Sequence, residues 1–100
     1  MVVDDASDEG YSEILDGYQS KGLHLTFVRS PTRLYTKNAR MAGVRVAQAE
    51  IIAFADADDM LLGSTALEHH VGLFQSTEAD VLQFESVHVD TAGAVIAPFP

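Results

Sequence analysis

Cysteine is absent from this sequence of 100 residues, which excludes a disulfide scaffold and any metal site built on thiolates. Long apolar runs are absent too, since the longest, 51–55, is far short of the ~20 residues that a transmembrane helix needs. No basic start is followed by an apolar segment, so nothing in the chain resembles a secretory signal. A cytoplasmic location is therefore the default expectation.

Basic residues are scarce: six of them against fifteen acidic residues give a formal net charge of −9. Such a surface repels a phosphate backbone, which argues against nucleic acid as a partner. All six basic residues fall within residues 21–49, and all fifteen acidic residues fall within the flanking stretches 1–20 and 50–100. An anionic ligand would meet either the middle segment or a cation held by the acidic flanks. Solvated faces on an acidic protein are the alternative that composition leaves open.

What is present is a globular composition with 47% hydrophobic residues, at a length that suits one domain or part of one. Apolar residues at helical spacing predict helices over about 11–21 and 36–49, and a third after Thr65, where Thr65 and Glu68 form a capping-box pattern. Gly22 is a good residue to end the first helix. Small apolar residues on the second helix would let it lie close to a sheet.

Strands are predicted at 2–3, 23–28, 51–55 and 79–89, and a turn at 90–93 leads into a short apolar piece. The continuous apolar run 51–55 is typical of a strand buried on both faces of a parallel sheet. Strands and helices alternate, which predicts the α/β class with a parallel, three-layer arrangement. The candidate core aromatics are Phe54, Phe74 and Phe84.

Two clusters of carboxylates stand where predicted strands stop: Asp4 with Asp5, and Asp56 with Asp58 and Asp59. Ligands of open parallel sheets bind beyond the carboxyl ends of the strands, so we expect both clusters to face one pocket. Crowded carboxylates repel one another unless a cation sits among them, and oxygen ligands favour Mg²⁺ or Mn²⁺. Such an ion would let an acidic protein hold a diphosphate. The alternative is that these aspartates only cap loops and helix starts.

Three motifs resemble segments of the GT-A family 2 glycosyltransferases and occur in the same order. Residues 2–10 (VVDDASDEG) look like V-D-D-G-S-x-D-G, residues 39–44 (ARMAGV) are similar to A-R-N-x-G-(I/V), and residues 50–59 (EIIAFADADD) match G-(E/D)-(Y/I)-(I/L)-x-F-L-D-A-D-D. The resemblance spans nearly the whole chain. It implies a truncated Rossmann-like GT-A nucleotide-binding fold with a mainly parallel sheet, in which residues 1–100 form a single partial domain that binds the nucleotide-sugar donor.

The resemblance implies transfer of a sugar from a nucleotide-diphosphate donor, a UDP-sugar above all, to a hydroxyl of a saccharide or lipid-linked acceptor. Asp4 or Asp5 would contact the base or ribose, and Asp56 would lie near the ribose. Asp58 would bind the Mn²⁺ or Mg²⁺ ion that bridges the diphosphate. Arg40 would approach the phosphates, unless it is simply a surface charge on a helix. The nucleotide-binding residues that the likeness implies are Asp4, Asp5, Ser7, Arg40 and Asp56.

The chain also departs from the family pattern. Met41 stands where the family usually has Asn, and Ala6 where it has Gly. The family's first strand and its acceptor half have no counterpart, so the general base is expected beyond Pro100. We therefore expect little or no transferase activity from the chain alone, and a tendency to self-associate through an unpaired strand edge. Peripheral membrane attachment of a longer protein stays open.

Two other interpretations compete with a transferase. A phosphoacceptor receiver domain of two-component signalling would use Asp4 and Asp5 as its acidic pair and Asp56 as its acceptor. Such domains also need a lysine after a later strand, and this chain has no basic residue beyond Arg45, which argues against them. A non-catalytic interaction domain that keeps the GT-A-like fold is the third interpretation.

Overall fold

The computed structural model describes residues 1–98. Tertiary contacts divide the chain into two units, Met1–Asp58 and Asp59–Pro100. The helices and strands of the described residues are β1 (Val2–Asp5), α1 (Ser12–Ser20), β2 (Phe27–Ser30), α2 (Tyr35–Val46), α3 (Ala66–Gln75), β3 (Val87–Val89) and β4 (Val95–Pro98). Helices alternate with parallel strands in the first unit, so the predicted α/β class is confirmed.

The sheet of the first unit pairs β1 with β2 in parallel, so that Asp4 lies opposite Arg29 and Asp5 opposite Ser30. The crossover between the two strands is α1, which ends as predicted because Gly22 takes a left-handed φ of +91°. The second helix, α2, packs on β1. A Cβ on Gly43 would lie 3.1 Å from Cγ2 of Val3, so this close approach depends on the small residue, as the sequence predicts.

The predicted strand at 51–55 is wrong, because these residues form no strand in the structure. Ile52 is exposed and Phe54 is 58% exposed. A strand in the centre of a parallel sheet is stabilised by hydrogen-bonded neighbours on both sides and by cover on both faces. Among residues 1–58 the sheet consists of β1 and β2 alone, so the apolar run 51–55 has neither.

The second unit combines α3 with an antiparallel hairpin of β3 and β4, in which Val87 lies opposite Pro98. The predicted turn is confirmed, with Gly93 at φ +84° and Asp90 Oδ1 accepting the N–H groups of Ala92 and Ala94. The predicted strand at 79–89 shortens to Val87–Val89.

The predicted capping box at the start of α3 is wrong, since the Thr65 side chain makes no capping hydrogen bond. Its backbone, at φ −106° and ψ 8°, departs from the extended conformation that aims a capping hydroxyl at the first turn. The aromatic core prediction is also wrong for two of its three members. Phe54 and Phe84 (40% exposed) lie near the surface, and Phe74 is half-buried. No apolar side chain of residues 1–96 is fully buried.

The turn after β1 stores backbone strain at Ala6, whose φ of 59° is in the left-handed region. That region costs a residue with a Cβ about 1–2 kcal/mol and costs glycine very little. We expect Ala6→Gly to raise the free energy of unfolding by about 1 kcal/mol, measured by urea denaturation. The matched control, Gly22→Ala at φ +91°, should lower it by a similar amount. An Ala6→Gly variant less stable than the parent would contradict the prediction.

Candidate functional site

Asp4 is a buried carboxylate at the end of β1, with only 2% of its side chain exposed. Its Oδ1 accepts the backbone N–H of Ser7 at 3.0 Å, and its Oδ2 lies 3.4 Å from Nε of Arg29. The Nη2 atom of Arg29 also donates to the carbonyl oxygen of Ser7 at 3.2 Å. Asp4 and Ser7, both candidate nucleotide-binding residues, therefore form one cluster with Arg29.

Hydrogen bonds from the side chain and backbone of Ser7 lower the pKa of Asp4 below its ordinary value. Burial acts in the opposite direction, and the positive charge of Arg29 adds to the lowering. The net effect favours the ionised carboxylate. Asp4 is thus a charged acceptor at neutral pH.

Stability should depend on the ionisation of Asp4. Because its pKa is lower in the folded than in the unfolded state, the stabilisation is complete above about pH 4 and is lost as pH falls through the folded-state pKa. We expect the free energy of unfolding to drop more steeply on acidification in the parent than in Asp4→Asn, whose amide cannot ionise. Urea denaturation between about pH 6 and about pH 2 checks this. Equal pH dependence in the two proteins would contradict it.

Asp5 holds the start of α2. Its two carboxylate oxygens accept the backbone N–H groups of Leu34 and Tyr35, the latter at 2.9 Å. Tyr35 has a left-handed φ of 63°, which is uncommon for a residue with a bulky side chain. The capping role that the sequence left open therefore applies to Asp5, whose carboxylate joins the end of β1 to α2.

Asp5, Arg40 and Asp56 line one cavity of about 490 Å³ in the first unit. Its apolar wall comes from β1, α2 and the segment 52–57. The structure thus brings one member of each acidic cluster to the same cavity. Asp4 and Asp58 do not line it.

Arg40 and Asp56 form an ion pair inside this cavity, with Nη2 of Arg40 2.7 Å from Oδ1 of Asp56. Their side chains are 46% and 50% exposed, so both stay accessible to a ligand. The guanidinium of Arg40 also lies 5.9 Å from the centre of the Phe54 ring. Arg40 is therefore held in the cavity rather than projecting as an isolated surface charge.

The sequence model of the family described as Glycosyl transferase family 2 matches residues 1–98 of this chain. The chain belongs to glycosyl transferase family 2. An uncharacterized glycosyltransferase of Methanocaldococcus jannaschii is 24% identical over 99 residues, a match that covers 99% of this chain and 34% of the relative. The family 2 chain thus spans about a third of that relative's length. No solved structure matches it.

Family membership disfavours the receiver-domain interpretation, which the absence of a base beyond Arg45 already argued against. It leaves the transferase and the non-catalytic interpretations to be separated by binding experiments. Within residues 1–98 the family 2 chain has no helix with both the length and the apolar character needed to cross a bilayer.

The described residues of this family 2 chain offer few side chains to a divalent metal. No group of three or more histidine, aspartate or glutamate side chains in residues 1–98 is placed to hold an ion. Asp56 is paired with Arg40, whereas Asp58 is exposed. Mg²⁺ sites commonly use one or two carboxylates together with substrate phosphates. The side chains of residues 1–98 therefore do not form a metal site by themselves, and an ion there would need further oxygen ligands from a bound phosphate.

Arg29 is the member of this site that the sequence alone did not single out. The sequence showed it as one of six bases in the middle segment. Its partnership with Asp4 follows from the parallel register, which sets the two residues opposite each other on neighbouring strands. A correct strand pairing would have revealed it, because residues opposite each other on paired strands can interact.

Proposed function

We propose that the chain forms the donor-binding part of a glycosyltransferase that transfers a sugar from a nucleotide diphosphate, a UDP-sugar, to a hydroxyl of a saccharide or lipid-linked acceptor. The observation that carries the proposal is the convergence of Asp5, Arg40 and Asp56 on one cavity. Its volume of about 490 Å³ falls in the range of small-molecule sites. Membership in glycosyl transferase family 2 supports the reaction class.

The candidate nucleotide-binding residues, of which Asp5, Arg40 and Asp56 line the cavity, have roles in this proposal that follow from their chemistry. Carboxylates accept hydrogen bonds, which suits the hydroxyls of a ribose near Asp56 and the N3–H of a uracil near Asp4 or Asp5. Ser7, which is joined to Asp4, adds a hydroxyl at the same end of β1. A guanidinium is the side chain best suited to phosphate oxygens, which is the role proposed for Arg40.

The ion pair between Arg40 and Asp56 supports this assignment in the free chain. Asp56 holds the Arg40 guanidinium in the cavity at 2.7 Å, and both side chains remain about half exposed. An exposed pair of this kind contributes only about 0–1 kcal/mol, so a diphosphate can draw Arg40 away at little cost. Donor binding would then exchange one anionic partner of Arg40 for another.

The charge of the protein makes metal dependence the expected behaviour. A net charge of −9 opposes the approach of a diphosphate, and a single paired arginine in the cavity does not offset it. A divalent ion held by Asp58 and the diphosphate would neutralise the charge that develops on the leaving group. Mn²⁺ and Mg²⁺ are both compatible with oxygen donors.

Titration of the chain with UDP in the presence of Mn²⁺ or Mg²⁺, followed by the same titration in EDTA, tests the proposal by calorimetry. Binding that needs the metal supports a donor site. Binding of UDP that EDTA leaves unchanged, or no binding in either condition, contradicts it. Stable binding of beryllofluoride would instead favour a phosphoacceptor, and binding of neither ligand would favour a non-catalytic domain.

A further inference from the structure

Arg29 bridges the two ends of the turn that follows β1. Its Nε lies 3.4 Å from Oδ2 of Asp4, and its Nη2 donates to the carbonyl oxygen of Ser7 at 3.2 Å. A guanidinium presents its donors in a rigid planar fork, so one side chain can hold two acceptors at a set separation. Arg29 therefore ties the last part of β1 to the residue three positions further on.

The carboxylate of Asp4 depends on this contact. Its Oδ2 is buried and has no hydrogen-bond partner within residues 1–98, so the Arg29 guanidinium at 3.4 Å is its nearest compensation. A buried charged oxygen left without a partner is strongly unfavourable. Without Arg29, whose side chain is 56% exposed, water would take the place of the guanidinium at Oδ2, and the turn would lose the side chain that links Asp4 to Ser7.

Arg29 does not contact the cavity, so it can affect the cavity only through the backbone of the turn. Neither Arg29 nor Asp4 lines the cavity, whereas Asp5, the next residue along, does. Asp5 also accepts the N–H groups of Leu34 and Tyr35, so a shift of the turn would be passed on to the start of α2.

We infer that Arg29 is a positioning residue of the donor site, which clamps the turn 4–7 and thereby fixes Asp5 and Ser7 for nucleotide binding. Its effect on binding rests on the proposed function, whereas the clamp itself is a property of the free chain. The parallel register supports the inference, because pairing of β1 with β2 anchors Arg29 opposite Asp4 whether or not a ligand is present.

Arg29→Ala tests the inference, with Arg45→Ala as its control. Arg45 is an exposed base at the end of α2 that makes no ion pair or hydrogen bond with other side chains among residues 1–98. Two quantities are measured in the full chain: the exchange rate of the Ser7 amide, which donates to Asp4, and the Kd of UDP with Mn²⁺. We expect Arg29→Ala to accelerate Ser7 exchange and to raise Kd, each by about tenfold, and Arg45→Ala to change neither.

Arg29→Lys separates the clamp from the charge. A lysine keeps a positive charge near Asp4, but its single ammonium group cannot hold two acceptors at a fixed separation as the guanidinium does. We therefore expect it to restore only part of the nucleotide affinity. If Arg29→Ala does not fold, the Arg29→Lys variant alone tests the bridging role. Full recovery of Ser7 protection and of Kd with lysine would overturn the bridging role.

The outcomes also distinguish this inference from the proposed function. If the parent chain binds UDP with Mn²⁺ and Arg29→Ala binds it equally well, Arg29 is not a positioning residue and the proposed function stands. If Ser7 exchange accelerates while Kd is unchanged, Arg29 only stabilises the turn, and the inference is overturned. If the parent does not bind UDP, the proposed function fails, and unaltered Ser7 exchange in Arg29→Ala would show that the clamp is absent as well.

Discussion

Asp58→Ala is expected to abolish the metal-dependent part of UDP binding. Residues 1–98 contain no cluster of three metal-binding side chains, so an ion at this site depends on very few protein donors together with the diphosphate. Asp58 is an exposed carboxylate of that cluster within the first unit, and it makes no ion pair among residues 1–98 that metal binding would have to break. Loss of one donor from so small a set should weaken UDP binding in Mn²⁺ by at least about tenfold.

Calorimetry of UDP in Mn²⁺ and in EDTA measures the effect, and the variant should bind equally weakly in both. Asp8→Ala is the matched control, since Asp8 is an exposed carboxylate of the same unit and its loss changes the net charge by the same amount. If Asp58→Ala bound UDP with Mn²⁺ as tightly as the parent, the role proposed for Asp58 would be wrong. A similar loss in Asp8→Ala would indicate a general charge effect.

Asp5→Ala should lower the free energy of unfolding by about 2–3 kcal/mol, because two backbone N–H groups lose a charged acceptor at the start of a helix. Asp5 also holds Tyr35 at a left-handed φ of 63°, and that conformation becomes harder to maintain without its carboxylate. The start of α2 would then detach from β1. We expect nucleotide affinity to fall together with stability, since α2 carries Arg40.

Urea denaturation of the parent, Asp5→Ala and Asp5→Asn checks this prediction. Asparagine keeps one oxygen acceptor without the charge, so its stability should lie between those of the other two proteins. Asp8→Ala, in the loop that follows β1, again provides a control and should stay within about 0.5 kcal/mol of the parent. Equal stability of Asp5→Ala and the parent would show that the contacts to Leu34 and Tyr35 contribute nothing to folding.

Local patterns in the sequence predicted the helices well. The 3.6-residue spacing of apolar side chains located α1 and α2 to within a few residues, and Gly22 marked the end of α1 because the left-handed conformation favours glycine. The sequence also predicted that the two acidic clusters meet, on the reasoning that parallel strands bring their carboxyl ends to one edge. Asp5 and Asp56 do line one cavity, although Asp56 follows a segment that forms no strand, so the rule accounts only for the position of Asp5 at the end of β1.

Features that depend on distant neighbours were not predictable from local pattern. The run 51–55 has the composition of a buried strand but lacks partners to pair with, so its propensity is not realised. The partnership of Arg29 with Asp4 depends on strand register, and the contacts of Asp5 depend on backbone N–H groups that no residue type reveals. Thr65 has a capping side chain, but its ψ of 8° turns it away from that role.

The lack of any fully buried apolar side chain in residues 1–96 has a thermodynamic consequence. The heat-capacity increment of unfolding, about 12–15 cal/mol/K per residue in ordinary domains, comes from apolar surface that becomes hydrated. A chain whose apolar side chains already contact water exposes less additional apolar surface when it unfolds. Its heat-capacity increment should therefore be smaller. Its stability should therefore vary with temperature along a flatter curve, and its urea transition should be broad because the m-value follows the same area.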